Sequence, residues 1–463
     1  MKPNKIISII IFIFYLSTIT HAQILRSVYF INDNPTRHEL NPAFSTNKGY
    51  IGIPMISNFG VSIASNMKLS SILFPTAGGN LTTFLDKNID ENRVLNQFKN
   101  KNVIDGRLNL SLLSTGFHKW GGFNTAAINI KGYTTSSIPY DLFALAKSGM
   151  NSVDGNNYDL TNTRHTTDTY AELAFGHSRE VAKGVNVGAK IKVLFGVMSM
   201  SAKYDQFNAT LTQDKWEVSS SGVMDVAGAT LSTDETGEII GIDKVNYGIN
   251  GMGMAFDIGV SWEVANNLTI SASALDLGFI KWNKNIRANT SGEPFMFDGF
   301  KDISVIDENA PNSLQNQFDG LTDDLQKLYA FYQTKTGVKT TRQLPSTLNV
   351  GIEYCFARNK LTTGLLSTTG FSREYIWTEL MLSANYHPVN WFTFGLNGSW
   401  STLGCGYGAI INFTTRGFNF FAGANTSTMR YTPQAVPIGH ATIYANIGFN
   451  VMLKRNYKTQ RWN

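Results

Sequence analysis

The chain has 463 residues, of which 43% are hydrophobic and 16% are charged, with a formal net charge of +5. Soluble globular proteins carry about 25% charged residues, so this composition fits a soluble enzyme poorly. The mean hydropathy of -0.12 excludes a helical membrane protein, and no basic stretch is arranged to follow a phosphate backbone, so we expect no nucleic-acid partner.

The first 22 residues have the pattern of a secretory signal peptide. Lys2 and Lys5 precede an apolar run from residue 6 to residue 19, which is too short to cross a bilayer comfortably. The tripeptide Thr-His-Ala that follows offers a cleavage site, and no later window approaches the about 18 consecutive apolar residues of a membrane helix. We therefore expect export through the inner membrane and removal of residues 1–22.

The next segment, residues 23–48, shows no alternation of apolar and polar residues. It contains the motif Asn41-Pro42-Ala43-Phe44, in which Asn-Pro favours a turn. We interpret residues 23–48 as a separate element placed before the first strand.

From residue 49 to residue 463 the dominant pattern is strict alternation, which is typical of β-strands. In residues 254–262, for example, Met, Phe, Ile, Val and Trp share one face, and Ala, Asp, Gly and Ser share the other. The segments reach about ten residues, enough for a tilted strand to cross the hydrocarbon, whereas soluble sandwich strands average about five or six. About fourteen candidate spans can be counted, near residues 57–66, 105–117, 121–133, 167–179, 184–202, 252–263, 267–280, 344–357, 360–371, 375–388, 391–401, 404–414, 416–426 and 440–453.

This pattern predicts an all-β fold, a transmembrane antiparallel up-and-down β-barrel of about fourteen strands. Aromatic residues fall near the predicted strand ends, as in an interfacial girdle. Residues 203–250 are polar and predict an extended hairpin beyond the membrane. Short helices are expected within two loops, at residues 91–98 and 314–333.

Several charges fall on the polar face of the predicted strands. A Lys or Arg facing lipid at mid-bilayer costs about 2–4 kcal/mol, so these charges are expected to face the lumen. They serve either as a network that fills the lumen or as a polar path for a solute, and the sequence leaves both open. The residues are Lys131, Glu172, Lys190, Lys192, Asp257, Glu263, Glu353 and Glu379.

The motif Asn41-Pro42-Ala43-Phe44 ahead of a fourteen-strand pattern resembles the start of the FadL-type outer-membrane transporters and their PorV-like relatives. The segment Leu344–Gly351 and the segment Asp276–Trp282 also look like those of uncharacterised Bacteroidota-type barrels. The resemblance implies that residues 23–48 fold into the lumen as a plug. No ligand-contacting residue of the transporters matches a position here, so no substrate is implied.

Motifs for catalysis are absent from the sequence, and the seven histidines lack metal-ligand spacing. We therefore assign no catalytic residue, metal or cofactor and expect no enzyme. Cys355 and Cys405 could pair in an oxidising compartment, but the sequence does not show that their side chains meet, and unpaired thiols are favoured.

Two functions remain open for an outer-membrane barrel with these features. The first is a FadL-like passive channel for hydrophobic or amphipathic small molecules. The alternative is a PorV-like barrel that does not transport but holds secreted or cell-surface proteins. The expected partners are outer-membrane lipids, a hydrophobic small molecule in the first case, and surface proteins in the second.

Overall fold

The computed structural model describes residues 26–76, 80–152, 154–299, 330–356, 360–426 and 443–453, with isolated positions between 313 and 328. The predicted signal peptide lies outside the described residues, as do half of the predicted helix at 314–333 and the start of the last predicted span. Among the described residues, no helix is both long enough and apolar enough to cross a membrane.

The segments in which apolar and polar residues alternate form strands in the described chain. The strands are β1 (Tyr50–Gly52), β2 (Phe59–Ser65), β3 (Leu73–Pro75), β4 (Leu81–Thr83), β5 (Lys101–Lys119), β6 (Gly122–Pro139), β7 (Asn156–Asp159), β8 (Arg164–Ala182), β9 (Val185–Leu211), β10 (Trp216–Ala227), β11 (Ala229–Thr233), β12 (Ile239–Val245), β13 (Gly251–Ala265), β14 (Leu268–Asn289), β15 (Phe295–Phe297), β16 (Tyr332–Gln343), β17 (Ser346–Phe356), β18 (Leu361–Phe371), β19 (Ile376–Val389), β20 (Phe392–Ser401), β21 (Gly404–Thr414), β22 (Phe418–Thr426) and β23 (Ile443–Met452). The helices are α1 (Glu91–Leu95) and α2 (Tyr140–Ser148), with 3-10 turns at Arg26–Phe30, Arg37–Glu39 and Leu69–Ser71.

Fourteen of these strands form a closed antiparallel barrel. Closure occurs at β2, which pairs with β5 on one side and with β23 on the other. The predicted all-β barrel of about fourteen strands is thereby confirmed. In order around the wall the strands are β2, β5, β6, β8, β9, β13, β14, β17, β18, β19, β20, β21, β22 and β23.

The two ends of the barrel differ. At the short-turn end, tight turns join pairs such as β8–β9 and β13–β14, and Tyr50 of β1 pairs with Met452 of β23. At the opposite end, which we call the long-loop end, β9 continues to Leu211 and pairs there with β7 and β10. The wall therefore extends well beyond the barrel proper on one side.

Strand alternation separates the two faces of the wall because successive side chains of a strand point to opposite sides. In β13, Met254, Phe256 and Ile258 are exposed on the outside, whereas Ala255 and Asp257 are buried inside. The exposed apolar row of β13 runs from Met252 to Trp262. At a rise of about 3.4 Å per residue and a tilt of about 40°, this row is about 25 Å tall. The outer surface thus carries an apolar band of the height of a hydrocarbon layer.

Apolar side chains cover the long-loop end. We call this cluster, which includes Phe74, Phe84, Phe98 and Phe143, the cap. The rings of Phe98 and Phe143 stack there with centroids 3.9 Å apart. Helix α1 begins at an Asp90 cap, whose Oδ1 accepts a hydrogen bond of 2.7 Å from the Arg93 amide. The structure therefore contains a helix within the predicted span 91–98, while α2 has no counterpart in the sequence predictions.

Candidate functional site

The interior of the barrel holds the start of the described chain, residues 26–48, which we call the inner segment. Val28, Tyr29, Phe30 and Ile31 are at most 1% exposed. They pack, with Leu40 and Phe44, against inward apolar side chains of the wall strands β18, β19, β21 and β22. One side of the interior is therefore a dry hydrophobic contact between the inner segment and the wall.

In the predicted motif Asn41-Pro42-Ala43-Phe44, the first three residues lie at the opposite wall, against β9 and β13, whereas Phe44 belongs to the apolar cluster described above. The Asn41 amide Nδ2 donates to the carbonyl oxygens of Val260 at 3.2 Å and Ala272 at 3.3 Å, which face each other across β13 and β14. Its Oδ1 accepts from the Ala43 backbone amide at 3.0 Å, which fixes the turn at Pro42. Asn41 thus ties the turn to the barrel wall.

Glycines on the inner wall make room for the inner segment. A Cβ atom on Gly188 would overlap the carbonyl of Pro42, and one on Gly364 would overlap the ring of Phe30. Gly259 and Gly351 face Asn41 and Tyr29 at similarly close range. The inner segment therefore contacts the wall backbone directly at these places.

Charged groups hold the segment as well. Arg26 forms an ion pair with Glu379, and its guanidinium lies 4.4 Å from the ring centroid of Trp377. Glu353 accepts a hydrogen bond of 3.0 Å from Asn32. Lys190 Nζ donates to the carbonyl oxygen of His38 at 2.7 Å. Three of the predicted lumen charges therefore contact the inner segment.

A network of opposite charges occupies the interior beside the segment. Lys192 Nζ lies 2.7 Å from Oδ1 of Asp257 and 2.6 Å from Oδ1 of Asp276. Lys131 Nζ lies 2.9 Å from Oε2 of Glu172 and 3.7 Å from Oδ1 of Asp276. The two lysines and three carboxylates compensate most of one another's charge.

A cavity lies between this network and the inner segment. Its lining includes all five network residues, Lys190 and Tyr170, together with His38, Glu39 and Leu40 of the inner segment. Leu275, Pro345 and Thr347 form the part of the lining nearest to the junction of β14 with β16 and β17. The lining therefore combines charged and apolar groups, and it reaches the wall at that junction.

The wall is irregular at this junction. Asp276 has a φ of 57°, which is unusual for a residue other than glycine, and the register between β13 and β14 shifts beside it. Strand β14 pairs with β17 up to Leu275 and with β16 from Phe279 onward. Across from the gap lies Pro345, which has no amide hydrogen to donate. The hydrogen-bonded ladder is interrupted here, with one bond of 3.0 Å from the Leu344 amide to the Gly278 carbonyl.

The predicted lumen charges do not all share one environment. Lys131, Glu172, Lys190, Lys192 and Asp257 line the cavity, and Glu353 and Glu379 are buried against the inner segment. Glu263 is exposed, because it lies at the end of β13 beside the β8–β9 turn, and it forms no ion pair within the described chain.

Sequence reasoning missed several interior charges. In the sequence, Asp276 belongs only to a segment that resembles those of related barrels, because its place in the network depends on a left-handed backbone conformation. The Arg342–Asp168 ion pair of 2.8 Å was also missed. Asp168 lies in a predicted span, so its position was a usable signal.

Among the described positions, no group of three or more His, Cys, Asp or Glu side chains is arranged to hold a metal ion. Cys355 and Cys405 are both free thiols.

A closed fourteen-strand β-barrel with its own N-terminal segment packed inside is the class of protein that these features define. The chain belongs to a family of unknown function, DUF5723, whose model matches residues 42–425. No match was found among curated proteins.

Several solved structures align with most of this chain. The P. putida toluene transporter TodX is 9% identical with a TM-score of 0.42, covering 94% of this chain and 97% of that chain. The Ralstonia pickettii toluene transporter TbuX is 9% identical with a TM-score of 0.41, covering 94% and 95%. A Pseudomonas aeruginosa FadL homologue is 10% identical with a TM-score of 0.37, covering 91% and 94%.

Proposed function

We propose that the protein is an outer-membrane barrel that passes hydrophobic or amphipathic small molecules passively, with the inner segment as its plug. The observation that carries the proposal is the position of the cavity. It reaches the inner side of the wall interruption at Asp276 and Pro345. On the outer side of the same junction, Leu277 and Leu348 are exposed. A molecule in the cavity is therefore one wall thickness from the apolar band.

The membrane location is supported by the outer surface. Exposed side chains along β13 and β17 are almost entirely apolar, and a soluble protein rarely presents so continuous an apolar surface. Ile258, for example, is 55% exposed at the middle of its strand. The band height of about 25 Å is that of known outer-membrane barrels. The signal peptide expected from residues 1–22 fits export to that membrane.

An amphipathic solute is supported by the layering of the interior. Between the cap and the charged cavity lies a buried apolar layer that includes Leu194, Ile280, Trp282 and Leu344. Tyr170 belongs to this layer and also lines the cavity. An alkyl or aromatic group would gain from burial in the layer, while a polar group would reach the charges below it. No energy-coupling motif occurs in the sequence, so transport is passive.

Passage requires the inner segment to shift, because it fills the interior beside the cavity. The contacts that hold it near the cavity are the Lys190–His38 hydrogen bond and the Asn41 bonds to the wall. These are polar contacts, and water that enters the cavity when the segment shifts can replace each partner. The apolar half of the segment, packed on β18–β22, is the fixed part.

The test is a flux measurement with the full chain in vesicles whose outer leaflet is lipopolysaccharide, because a plain phospholipid bilayer passes hydrophobic probes without a protein, and flux is compared with that of protein-free vesicles. The probes are toluene, chosen because TodX and TbuX are toluene transporters, and oleate as an amphipathic molecule. We expect slow flux with the unaltered protein and faster flux when Asn41→Asp loosens the turn at the wall. Glu263→Gln, at an exposed position away from the segment, is the control. Folded protein that passes neither probe in any variant would overturn the channel proposal.

A further inference from the structure

Three exposed lysines gather around one irregularity of the outer wall. Lys281 and Lys284 belong to β14, and Lys339 belongs to the neighbouring β16. The register between these strands slips between Trp282 and Asn285, so Lys339 lies opposite the extra residues of β14. Cross-strand neighbours of this kind have Cβ atoms about 5–8 Å apart. We call Lys281, Lys284 and Lys339 the outer basic patch.

The charge of this patch is not neutralised by the protein. Lys284 Nζ donates to the backbone carbonyl of Ile249 at 3.4 Å. No ion pair to a carboxylate is formed by any of the three lysines in the part of the chain that the structure describes. Lys203 and Lys215, which are also on the long-loop side, pair with Asp205 and Glu217. The outer basic patch is therefore free to bind an anion.

The patch lies at the edge of the apolar band. Lys281 pairs directly with Met252, the last exposed apolar residue of β13 toward the long-loop end. Just beyond Met252, in the link from β12, Ile249 is 54% exposed and Tyr247 is 82% exposed. Tyrosine is enriched where hydrocarbon gives way to headgroups, and lysine extends its ammonium outward from the same level. Apolar and cationic groups thus meet at the height of lipid phosphates.

We infer that the outer basic patch binds the phosphate-bearing headgroup of an anionic lipid in the leaflet on the long-loop side. Tyr247 and Ile249 would contact the first carbons of its acyl chains. The continuity with the apolar band favours a lipid over a soluble acidic protein, which would leave Tyr247 and Ile249 half solvated. The inference rests on the membrane location proposed above and is independent of whether the barrel conducts.

The test measures lipid retention by the full chain purified in detergent and titrated with lipid A, a phosphorylated glycolipid. The variant is Lys281→Gln/Lys284→Gln/Lys339→Gln. Each lysine near an anionic surface strengthens binding by about fivefold, so the triple variant is expected to bind about a hundredfold more weakly. The matched control is Lys87→Gln/Lys99→Gln/Lys183→Gln, which removes the same charge from exposed positions elsewhere and is expected to bind as the unaltered protein does.

Two further arms identify the source of the phosphate. Phosphatidylcholine is expected to bind equally to all variants, and inorganic phosphate is expected to compete poorly with lipid A. Equal lipid A binding by the patch variant and the control would overturn the inference, as would displacement by inorganic phosphate at comparable concentration. The single variant Lys281→Gln, expected to bind about fivefold more weakly, covers the case in which the triple variant does not fold. Flux of toluene or oleate is measured separately, so its failure would count against the channel and not against the patch.

Discussion

The carbonyl group of Pro42 lies against Gly188 of β9, where a Cβ atom on the glycine would overlap it. Valine is well accommodated in strands, so Gly188→Val is expected to keep the barrel and push residues 41–44 away from the wall. Hydrogen exchange of the inner segment would measure this, with faster exchange expected at residues 38–46 and little change in the wall strands.

The control for this substitution is Gly398→Val in β20. No atom lies within 4 Å of the position that a Cβ on Gly398 would occupy. Exchange in the inner segment is expected to stay as in the unaltered protein. If both valines had the same effect on residues 38–46, the close approach of Pro42 would not be what matters.

Asn41→Asp tests the hydrogen bonds at the same turn. The amide Nδ2 of Asn41 faces the carbonyl oxygens of Val260 and Ala272, and a carboxylate there would bring oxygen against oxygen. Losing a buried donor costs about 1–3 kcal/mol, and the added charge costs more. Limited proteolysis is expected to cleave the inner segment faster. Asn88→Asp, in an exposed turn with only local bonds, is expected to leave the rate unchanged.

Lys192→Met removes the cation between Asp257 and Asp276. Removing one partner of a buried ion pair costs about 3–5 kcal/mol, because the remaining charge is left uncompensated. We expect the urea midpoint of unfolding to fall, and the double change Lys192→Met/Asp257→Asn to recover part of the loss. Lys203→Met, which breaks an exposed pair with Asp205, is expected to cost less than about 1 kcal/mol. Comparable losses at Lys192 and Lys203 would show that the network is not a structural element.

Ile258→Arg tests the orientation of the outer face. Ile258 is exposed at the centre of the apolar row of β13, where an Arg facing lipid costs about 2–4 kcal/mol. Lower yield of heat-modifiable, folded barrel is expected in lipid vesicles. Glu263→Arg, at the exposed end of the same strand, is expected to assemble normally. Normal assembly of both variants would contradict a lipid-facing position for Ile258.

Phe143→Ala tests whether the cap unfolds independently of the barrel. Phe143 stacks on Phe98 and contacts Phe84 in the cap cluster. Loss of a buried Phe side chain costs about 3–5 kcal/mol, which we expect to appear as faster exchange in α1, α2 and the β3–β4 hairpin. The barrel strands below are expected to exchange at their original rate. Uniform acceleration across the barrel would indicate that cap and barrel unfold together.

The barrel could be predicted from the sequence because one face of its wall contacts lipid and the other faces the polar interior. This difference imposes period-two alternation on every strand of the wall. Ile258 is exposed on the outer face, and Asp257, its neighbour in sequence, is buried on the inner face. The inner segment has no such periodicity, since it contacts the wall on several sides. Only the motif at Asn41 and its resemblance to a family pointed to it.

The charge network was predicted in part. Lys131, Glu172, Lys192 and Asp257 stand in alternating spans, so their common face follows from strand geometry. Asp276 breaks that rule, because its left-handed backbone turns it toward Lys192 out of phase with the strand. Ion pairs between distant strands, such as Arg342 with Asp168, depend on barrel register, which one sequence does not specify.

Asn34 donates a hydrogen bond to Asn412, which follows it by 378 positions, and Tyr29 bonds to Ser271, which follows by 242. Contacts that span so much of the chain form only after the intervening strands have paired, because the loop-closure entropy must be met first. The residues near the start of the described chain therefore reach their native contacts last. A docked inner segment is a marker of completed assembly, and a barrel caught before closure would leave Val28 to Ile31 exposed to proteases and chaperones.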